Sequence, residues 1–257
     1  EVGHLVPERV WQELARGLME DHPARLLEVL RDTGALARLL PEVDRLWGVP
    51  QRPEHHPEVD TGVHLLLVLQ VAARLGAPLP VRWACLCHDL GKGRTPPEQW
   101  PRHHGHEASS ARLAKELGER LRVPVDCREL ADVVAREHGN VHRSGTLSAA
   151  AVLRLLERCD ALRRPQRFEG LLLACECDLR GRTGFEGRDY PPRPRLWAAL
   201  QAVLAADTAA ASRQALAEGL KGPAIGQRVH AARLAALDQA LGGSEPGSST
   251  GTGLPVR

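Results

Sequence analysis

Aromatic residues and isoleucine are scarce in this chain of 257 residues. Phe, Trp and Tyr together make up 3% of it, and isoleucine occurs once, at Ile225. Both kinds of residue are enriched in β-strands. Leu, Ala, Arg and Glu instead fill long segments at helical spacing. The pattern excludes a sheet-based fold and predicts an all-α protein.

The sequence also lacks a strong charge, a C-x-x-C pair and a membrane-length apolar run. A formal net charge of +2 does not by itself indicate a polyanion-binding protein. The six cysteines come without a secretory leader, so we expect reduced, buried thiols in the cytoplasm, with metal binding as the alternative. The apolar run 63–71 is too short to cross a bilayer, and no membrane partner is expected.

Proline and glycine divide the chain into four predicted units. Residues 1–48 form the end of a set of neck and body helices, and 49–181 form a compact helical bundle. Residues 182–241 form tail helices, and the polar segment 242–257 is predicted to be disordered. We place the helices of the bundle at 62–75, 81–90, 107–121, 127–138, 148–163 and 166–179, and those of the tail at 194–206, 208–219 and 223–241.

Histidines are concentrated in the predicted bundle. Nine of the twelve lie between His55 and His142. His88 and Asp89 are adjacent at the end of a predicted helix, where neighbouring side chains point about 100° apart. Both side chains can reach one ion only if it lies between helices. The other helices must then supply further donors.

His64 and Asp160 are the further donors that we predict. His64 lies in an apolar helix, where a buried imidazole is costly unless it is bonded. Asp160 interrupts the apolar face of helix 148–163, and a salt bridge to Arg163 or Arg164 is the alternative interpretation. Imidazole and carboxylate ligands together favour a divalent transition metal over calcium.

The order of these residues resembles the H…HD…D pattern of the HD phosphohydrolase superfamily. His106 and His138 fall where some members add two more histidines. Over about residues 1–230, longer strings are similar to the C-terminal part of the bacterial multifunctional CCA protein family, tRNA nucleotidyltransferases that carry an HD domain. The strings are "HLVPERVWQEL", "HPEVDTGVH", "LCHDLGKGRTPPEQWPRHHGHE", "REHGNVHR" and "RRPQRFEGLLLACECDLRGRTGFEGRDYP".

The resemblance implies a metal-dependent phosphohydrolase of tRNA 3′-end maturation and repair. Its substrates would be 2′,3′-cyclic phosphates, 2′-nucleotides and simple phosphate esters. Its cofactor would be a divalent transition metal, with Ni, Mn or Co preferred and Mg as the alternative. The expected metal ligands are His64, His88, Asp89 and Asp160, with Asp89 best placed to bridge a second ion.

Other residues are expected to contact the substrate. Lys92 would meet its phosphate, the alternative being a solvated helix-end lysine, and Arg102 and Arg143 are candidate phosphate clamps. His106 and His138 would hold a second metal or act as acid and base. The predicted catalytic residues are therefore His88, Asp89, Lys92, His106 and His138. Surface roles are predicted for His103, His104 and His142, and no role is assigned to His55 and His56.

The nucleotidyltransferase head of that family has a Gly-Ser loop followed by an Asp-x-Asp pair, which this sequence does not show. Its one Gly-Gly-Ser, at 242–244, lies in the polar tail, so we expect no nucleotide addition by this chain. Two other functions remain open: a tRNA-binding or dimerisation module without activity, and an HD nucleoside triphosphohydrolase. A tRNA 3′ end, a 2′,3′-cyclic nucleotide or a 2′-nucleotide is the expected ligand, and a second copy of the chain is a further expected partner.

Overall fold

The structure, a computed structural model, describes residues 6–242, and this part of the chain is all-α as predicted. It contains thirteen α-helices and, within these residues, no strand beyond an isolated antiparallel bridge between Pro50 and Asp60. The helices before that bridge are α1 (Pro7–Met19), α2 (Pro23–Asp32), α3 (Leu36–Leu39) and α4 (Pro41–Asp44).

The remaining helices fall into a central group and a C-terminal group. The central group is α5 (Thr61–Arg74), α6 (Leu79–Cys87), α7 (His106–Arg120), α8 (Val125–His142), α9 (Ala149–Arg158) and α10 (Pro165–Arg180). The C-terminal group is α11 (Pro192–Ala205), α12 (Thr208–Ala217) and α13 (Pro223–Gly242). Between 6 and 242 we find no helix with the length and apolar character that a bilayer crossing requires.

A single hydrophobic core joins the N-terminal helices to the central group. The rings of Trp11 on α1 and Trp83 on α6 meet edge to face at 5.3 Å. Next to them, the buried guanidinium of Arg82 donates hydrogen bonds to the carbonyls of Leu18 and Glu20 at the end of α1. These carbonyls have no partner within the helix. Arg82 therefore satisfies a helix end and fixes α1 against α6.

Two helix ends differ from the prediction near the histidines. Helix α8 continues to His142 rather than ending at His138, so both rings lie on one helix. Helix α9 ends at Arg158, before Asp160. Asp160 has φ of 51°, and its N–H bonds the carbonyl of Glu157 while that of Ala161 bonds Leu156. This is a Schellman motif, with Asp160 in the left-handed position that terminates the helix.

All six cysteines are free and buried, as expected for reduced thiols. The predicted disordered segment, 242–257, lies outside the described residues except for Gly242. The three boundaries at 48/49, 181/182 and 241/242 stay predictions.

Candidate metal centre

His88 and Asp89 lie at the turn that follows α6. His88 caps the helix, and Asp89 begins a short 3₁₀ turn that continues to Arg94. Gly91 in this turn packs against the start of α7, where an added Cβ would lie 2.7 Å from the backbone nitrogen of Ser110. Its own N–H donates to Ser110 Oγ at 2.9 Å. Only glycine allows this close approach, which brings His106, the first residue of α7, beside Asp89.

Three histidines present the same ring nitrogen to Asp89. In His88, His106 and His138, Nδ1 lies 2.7, 2.7 and 3.0 Å from a carbonyl three or four residues earlier. A carbonyl only accepts, so Nδ1 must carry the proton. Their Nε2 atoms lie 3.1, 3.3 and 3.8 Å from carboxylate oxygens of Asp89.

The resulting arrangement brings three ring nitrogens and the Asp89 carboxylate together. Burial lowers the pKa of His138 from 6.5 to about 4, so this ring is neutral near pH 7. Burial also raises the pKa of Asp89, but the Lys92 ammonium and the His88 imidazole outweigh it and hold that pKa well below its usual range. His88 Nε2 and Asp89 Oδ1 have no hydrogen-bond partner. Burial lowers the pKa of His88, but the Asp89 carboxylate outweighs it and raises that pKa above its ordinary value. Imidazole nitrogens and carboxylate oxygens that converge in this way form a donor set suited to a divalent transition metal, which would bind there in place of the proton.

His64 reaches the same centre from α5. Asp60 caps this helix by accepting from the N–H of Val63 at 2.9 Å, which sets its start and directs His64 into the core. His64 Nε2 lies 3.0 Å from Asp178 Oδ1. Its Nδ1 is 2.8 Å from Glu58 Oε1. The structure brings His64, His88 and Asp89 together in one group that could hold a metal ion, and their role as ligands stays a prediction.

Asp178, on α10, is the second carboxylate of the centre. Its Oδ1 lies 3.0 Å from His64 Nε2 and 4.0 Å from His88 Nε2. Its Oδ2 is 2.6 Å from Nε2 of His142, whose Nδ1 is 2.9 Å from the hydroxyl of Tyr190. Burial raises the pKa of Asp178, but Arg182 and His142 outweigh it and hold it well below its usual range. Asp178 is therefore a carboxylate, and its Oδ1, which also lies 3.7 Å from the Arg182 guanidinium, is the oxygen that faces the two histidines.

The prediction that Asp160 completes the ligand set is corrected by this geometry. Asp160 terminates α9 and lies 3.7–3.8 Å from nitrogens of Arg163, Arg164 and Arg167. It is the salt-bridging residue that the alternative interpretation described. The side chains that the structure brings together are those of His64, His88, Asp89 and Asp178.

Lys92 is buried beside the centre and is not a solvated helix-end residue. Its Nζ lies 2.6 Å from Asp89 Oδ2 and also contacts the Gln51 amide oxygen. A cleft of about 410 Å³ runs past Lys92 and His106. Arg102 and Arg143, both exposed, line this cleft, so all the predicted phosphate-contacting residues share one opening.

Three other histidines, for which surface roles are predicted, differ in their surroundings: His103 and His104, before α7, and His142 on α8. His104 is exposed, as expected. His103 bridges the chain, with contacts of 2.9 Å to Thr95 Oγ1 and 3.0 Å to the carbonyl of Pro50. His142, expected at the surface, contacts Asp178 inside the protein instead, because α8 continues one turn beyond His138.

Sequence reasoning missed Asp178, Glu58 and the inward position of His142. A signal for Asp178 was present, since Leu171 and Asp178 are seven residues apart and occupy the same face of α10. Glu58 has no such signal. It lies in a proline-rich loop before α5, and its side chain is buried only because α5 and the loop after α10 close over it.

Two parts of the chain match known families. Residues 61–164 match the HD domain, and residues 1–46 match a family described as the probable RNA and SrmB-binding site of polymerase A. Residues 61–164 are therefore similar to an HD domain; the candidate ligands His64, His88 and Asp89 lie inside the matched residues, and Asp178 lies beyond them.

The curated relatives are multifunctional CCA proteins. The chain is 67% identical over 237 residues to the one from Acidovorax sp. (strain JS42), 63% over 239 to that of Polaromonas naphthalenivorans (strain CJ2) and 63% over 247 to that of Cupriavidus taiwanensis. These alignments cover 92%, 93% and 96% of the chain but 56%, 56% and 59% of the relatives. The resemblance to multifunctional CCA proteins is confirmed, and the chain spans a little over half of their length.

Proposed function

We propose that the chain is a metal-dependent phosphohydrolase that acts on 2′,3′-cyclic phosphates, 2′-nucleotides and simple phosphate esters at RNA 3′ ends. Its similarity to multifunctional CCA proteins supports a role in tRNA 3′-end maturation. The observation that carries the proposal is the convergence of the buried side chains of His64, His88, Asp89 and Asp178, in which His88 Nε2 and Asp89 Oδ1 have no hydrogen-bond partner. A buried cluster of this kind is unfavourable unless a cation is bound in it.

The proposed ligands are His64, His88, Asp89 and Asp178, in place of the set that includes Asp160. A bound divalent metal supplies Lewis acidity toward a phosphoryl oxygen and a lowered pKa for a coordinated water. Ni²⁺, Mn²⁺ or Co²⁺ suit a ligand set with two imidazoles better than Mg²⁺ does. His106 and His138 share Asp89 Oδ1 and form a second group able to hold an ion.

The cleft residues bind and orient the substrate in this proposal. Lys92 holds Asp89 and presents its remaining ammonium hydrogens toward a phosphate. Arg102 and Arg143 flank the opening, where a guanidinium engages two phosphate oxygens at once. The loop 103–106 limits the space above Lys92. We expect a single phosphate to fit there better than a triphosphate.

The experiment is a substrate comparison on chelator-treated protein reloaded with Ni²⁺, Mn²⁺, Co²⁺ or Mg²⁺. We expect 2′,3′-cyclic AMP and bis(4-nitrophenyl) phosphate to be hydrolysed and dGTP to be a poor substrate, with activity lost after chelation. A tenfold preference requires only about 1.4 kcal/mol of differential transition-state binding. Faster cleavage of dGTP than of the cyclic nucleotide would favour the alternative function, an HD nucleoside triphosphohydrolase. If none of the substrates is cleaved with any of these ions, the proposal that the chain is a hydrolase is contradicted.

A tRNA-binding module is the second candidate, and the match of residues 1–46 to an RNA-binding family favours it. Binding and hydrolysis are separable. A tRNA ending in a 2′,3′-cyclic phosphate should bind and be opened by the reloaded chain. If it binds but stays intact while the cyclic mononucleotide is also untouched, the binding module explains the chain better than the hydrolase does.

A further inference from the structure

We propose that His142 and Tyr190 are positioning residues that fix which oxygen of Asp178 faces the metal. This inference rests on the metal site of the proposed function. His142 Nε2 is 2.6 Å from Asp178 Oδ2, and its Nδ1 is 2.9 Å from the Tyr190 hydroxyl. Tyr190 lies in the loop after α10, beyond the residues that match the HD domain.

The proton positions in this chain of contacts follow from chemistry. The Asp178 carboxylate only accepts, so the proton between it and His142 belongs to Nε2. A neutral imidazole then has a lone pair at Nδ1, and this atom accepts from the Tyr190 hydroxyl, which donates. Every hydrogen-bonding atom of the His142 ring is satisfied. The ring is thereby held in one tautomer and one orientation.

As a consequence, the two carboxylate oxygens of Asp178 have different partners. Oδ2 is occupied by the His142 donor, while Oδ1 faces the Nε2 atoms of His64 and His88. Asp178 is therefore set up to bind through one oxygen. Hydrogen-bonded partners of this kind hold a ligand in place, and their loss typically lowers metal affinity about 10–100-fold.

Two variants separate this role from general packing. His142→Phe keeps a ring of similar size but removes the donor to Asp178. Tyr190→Phe removes only the hydroxyl from a residue that is 7% exposed, so its packing is retained. The matched control is His22→Phe, because His22 is exposed at the start of α2, far along the chain from the centre.

The experiment measures Ni²⁺ affinity of the chain by competition with a chromophoric chelator, with circular dichroism to check the fold. We expect about 10–100-fold weaker binding for His142→Phe, a smaller loss of about three- to tenfold for Tyr190→Phe, and an unchanged affinity for His22→Phe. Equal affinity of His142→Phe and the wild-type chain would overturn the inference. If the wild-type chain takes up no Ni²⁺, the metal site itself is refuted, and the inference falls with it.

A second readout needs no variant. In ¹⁵N NMR spectra of the metal-free wild-type chain, His142 should be the Nε2–H tautomer with an unprotonated Nδ1. This result would support the contact chain even if His142→Phe failed to fold. An Nδ1–H tautomer would overturn the inference, because that proton would point at Tyr190 and leave no donor for Asp178.

Discussion

Replacing each of two aspartates by asparagine tests which carboxylate completes the metal centre. Asp178→Asn removes the negative charge that faces His64 and keeps the shape of the side chain. Changes to residues behind a metal ligand already lower affinity about 10–100-fold. Loss of the ligand charge itself should therefore lower Ni²⁺ affinity by about 100-fold or more.

Asp160→Asn should have almost no effect. Its three ion pairs are 3.7–3.8 Å long and its side chain is a third exposed, so they contribute at most about 1 kcal/mol to the free energy of unfolding. Asparagine also tolerates the left-handed conformation that ends α9. The helix end should survive the change, and with it the fold.

Equilibrium dialysis with Ni²⁺ and hydrolysis of bis(4-nitrophenyl) phosphate are the two assays, and urea unfolding of both variants checks the fold. Asp178→Asn should lose metal and activity and keep its helical signal. Asp160→Asn should resemble the wild-type chain in every measurement. The assignment of Asp178 is refuted if the Asp160 variant loses its metal while the Asp178 variant keeps it.

Two further predictions concern the same region. Burial lowers the pKa of His138 from 6.5 to about 4, so only the unfolded chain takes up this proton as the pH falls below about 6.5. The contribution of His138 to the free energy of unfolding of the metal-free chain should then fall by about 2 kcal/mol between pH 7 and pH 5. Urea titrations in a chelating buffer should show a smaller drop for His138→Gln; an equal drop would assign the effect to other groups. Gly91→Ala should destabilise the chain by about 1–3 kcal/mol and weaken Ni²⁺ binding, because the new methyl group pushes His106 away from Asp89; Gly145→Ala, in open space, is the control, and unchanged Ni²⁺ binding by Gly91→Ala would show that the close approach is dispensable.

Much of the fold follows from helical periodicity and proline positions. Helices α5, α7 and α10 begin within one residue of their predicted starts. A capping aspartate marks the start of α5 and a proline marks that of α10, while regular apolar spacing indicates α7. The end of α9 was misplaced. The sequence "LERCDALRRP" continues the helical pattern, and only the backbone turn at Asp160 shows that the helix has stopped.

The candidate site could be predicted where a single helix contains the information. An imidazole in the apolar helix α5 indicated His64, and the adjacent pair after α6 indicated His88 and Asp89. The position of Asp160 depends on where α9 ends, which is a property of the packed chain. Predicting the inward position of His142 would require knowing that its ring contacts Tyr190, 48 residues away. No local pattern connects these two residues.

The contact between Arg82 and the end of α1 couples the stability of α1 to that of α6, the helix that precedes His88 and Asp89. If α1 detaches, Leu18 and Glu20 lose their hydrogen bonds, and the helix that ends at His88 loses one of its packing partners. A ligand that binds only the folded centre adds about 2.7 kcal/mol to folding at 100 times its Kd. That free energy opposes every opening that disturbs α6, including the detachment of α1. Amide hydrogen exchange in α1 should therefore slow when a metal binds, although α1 contributes no atom to the metal centre.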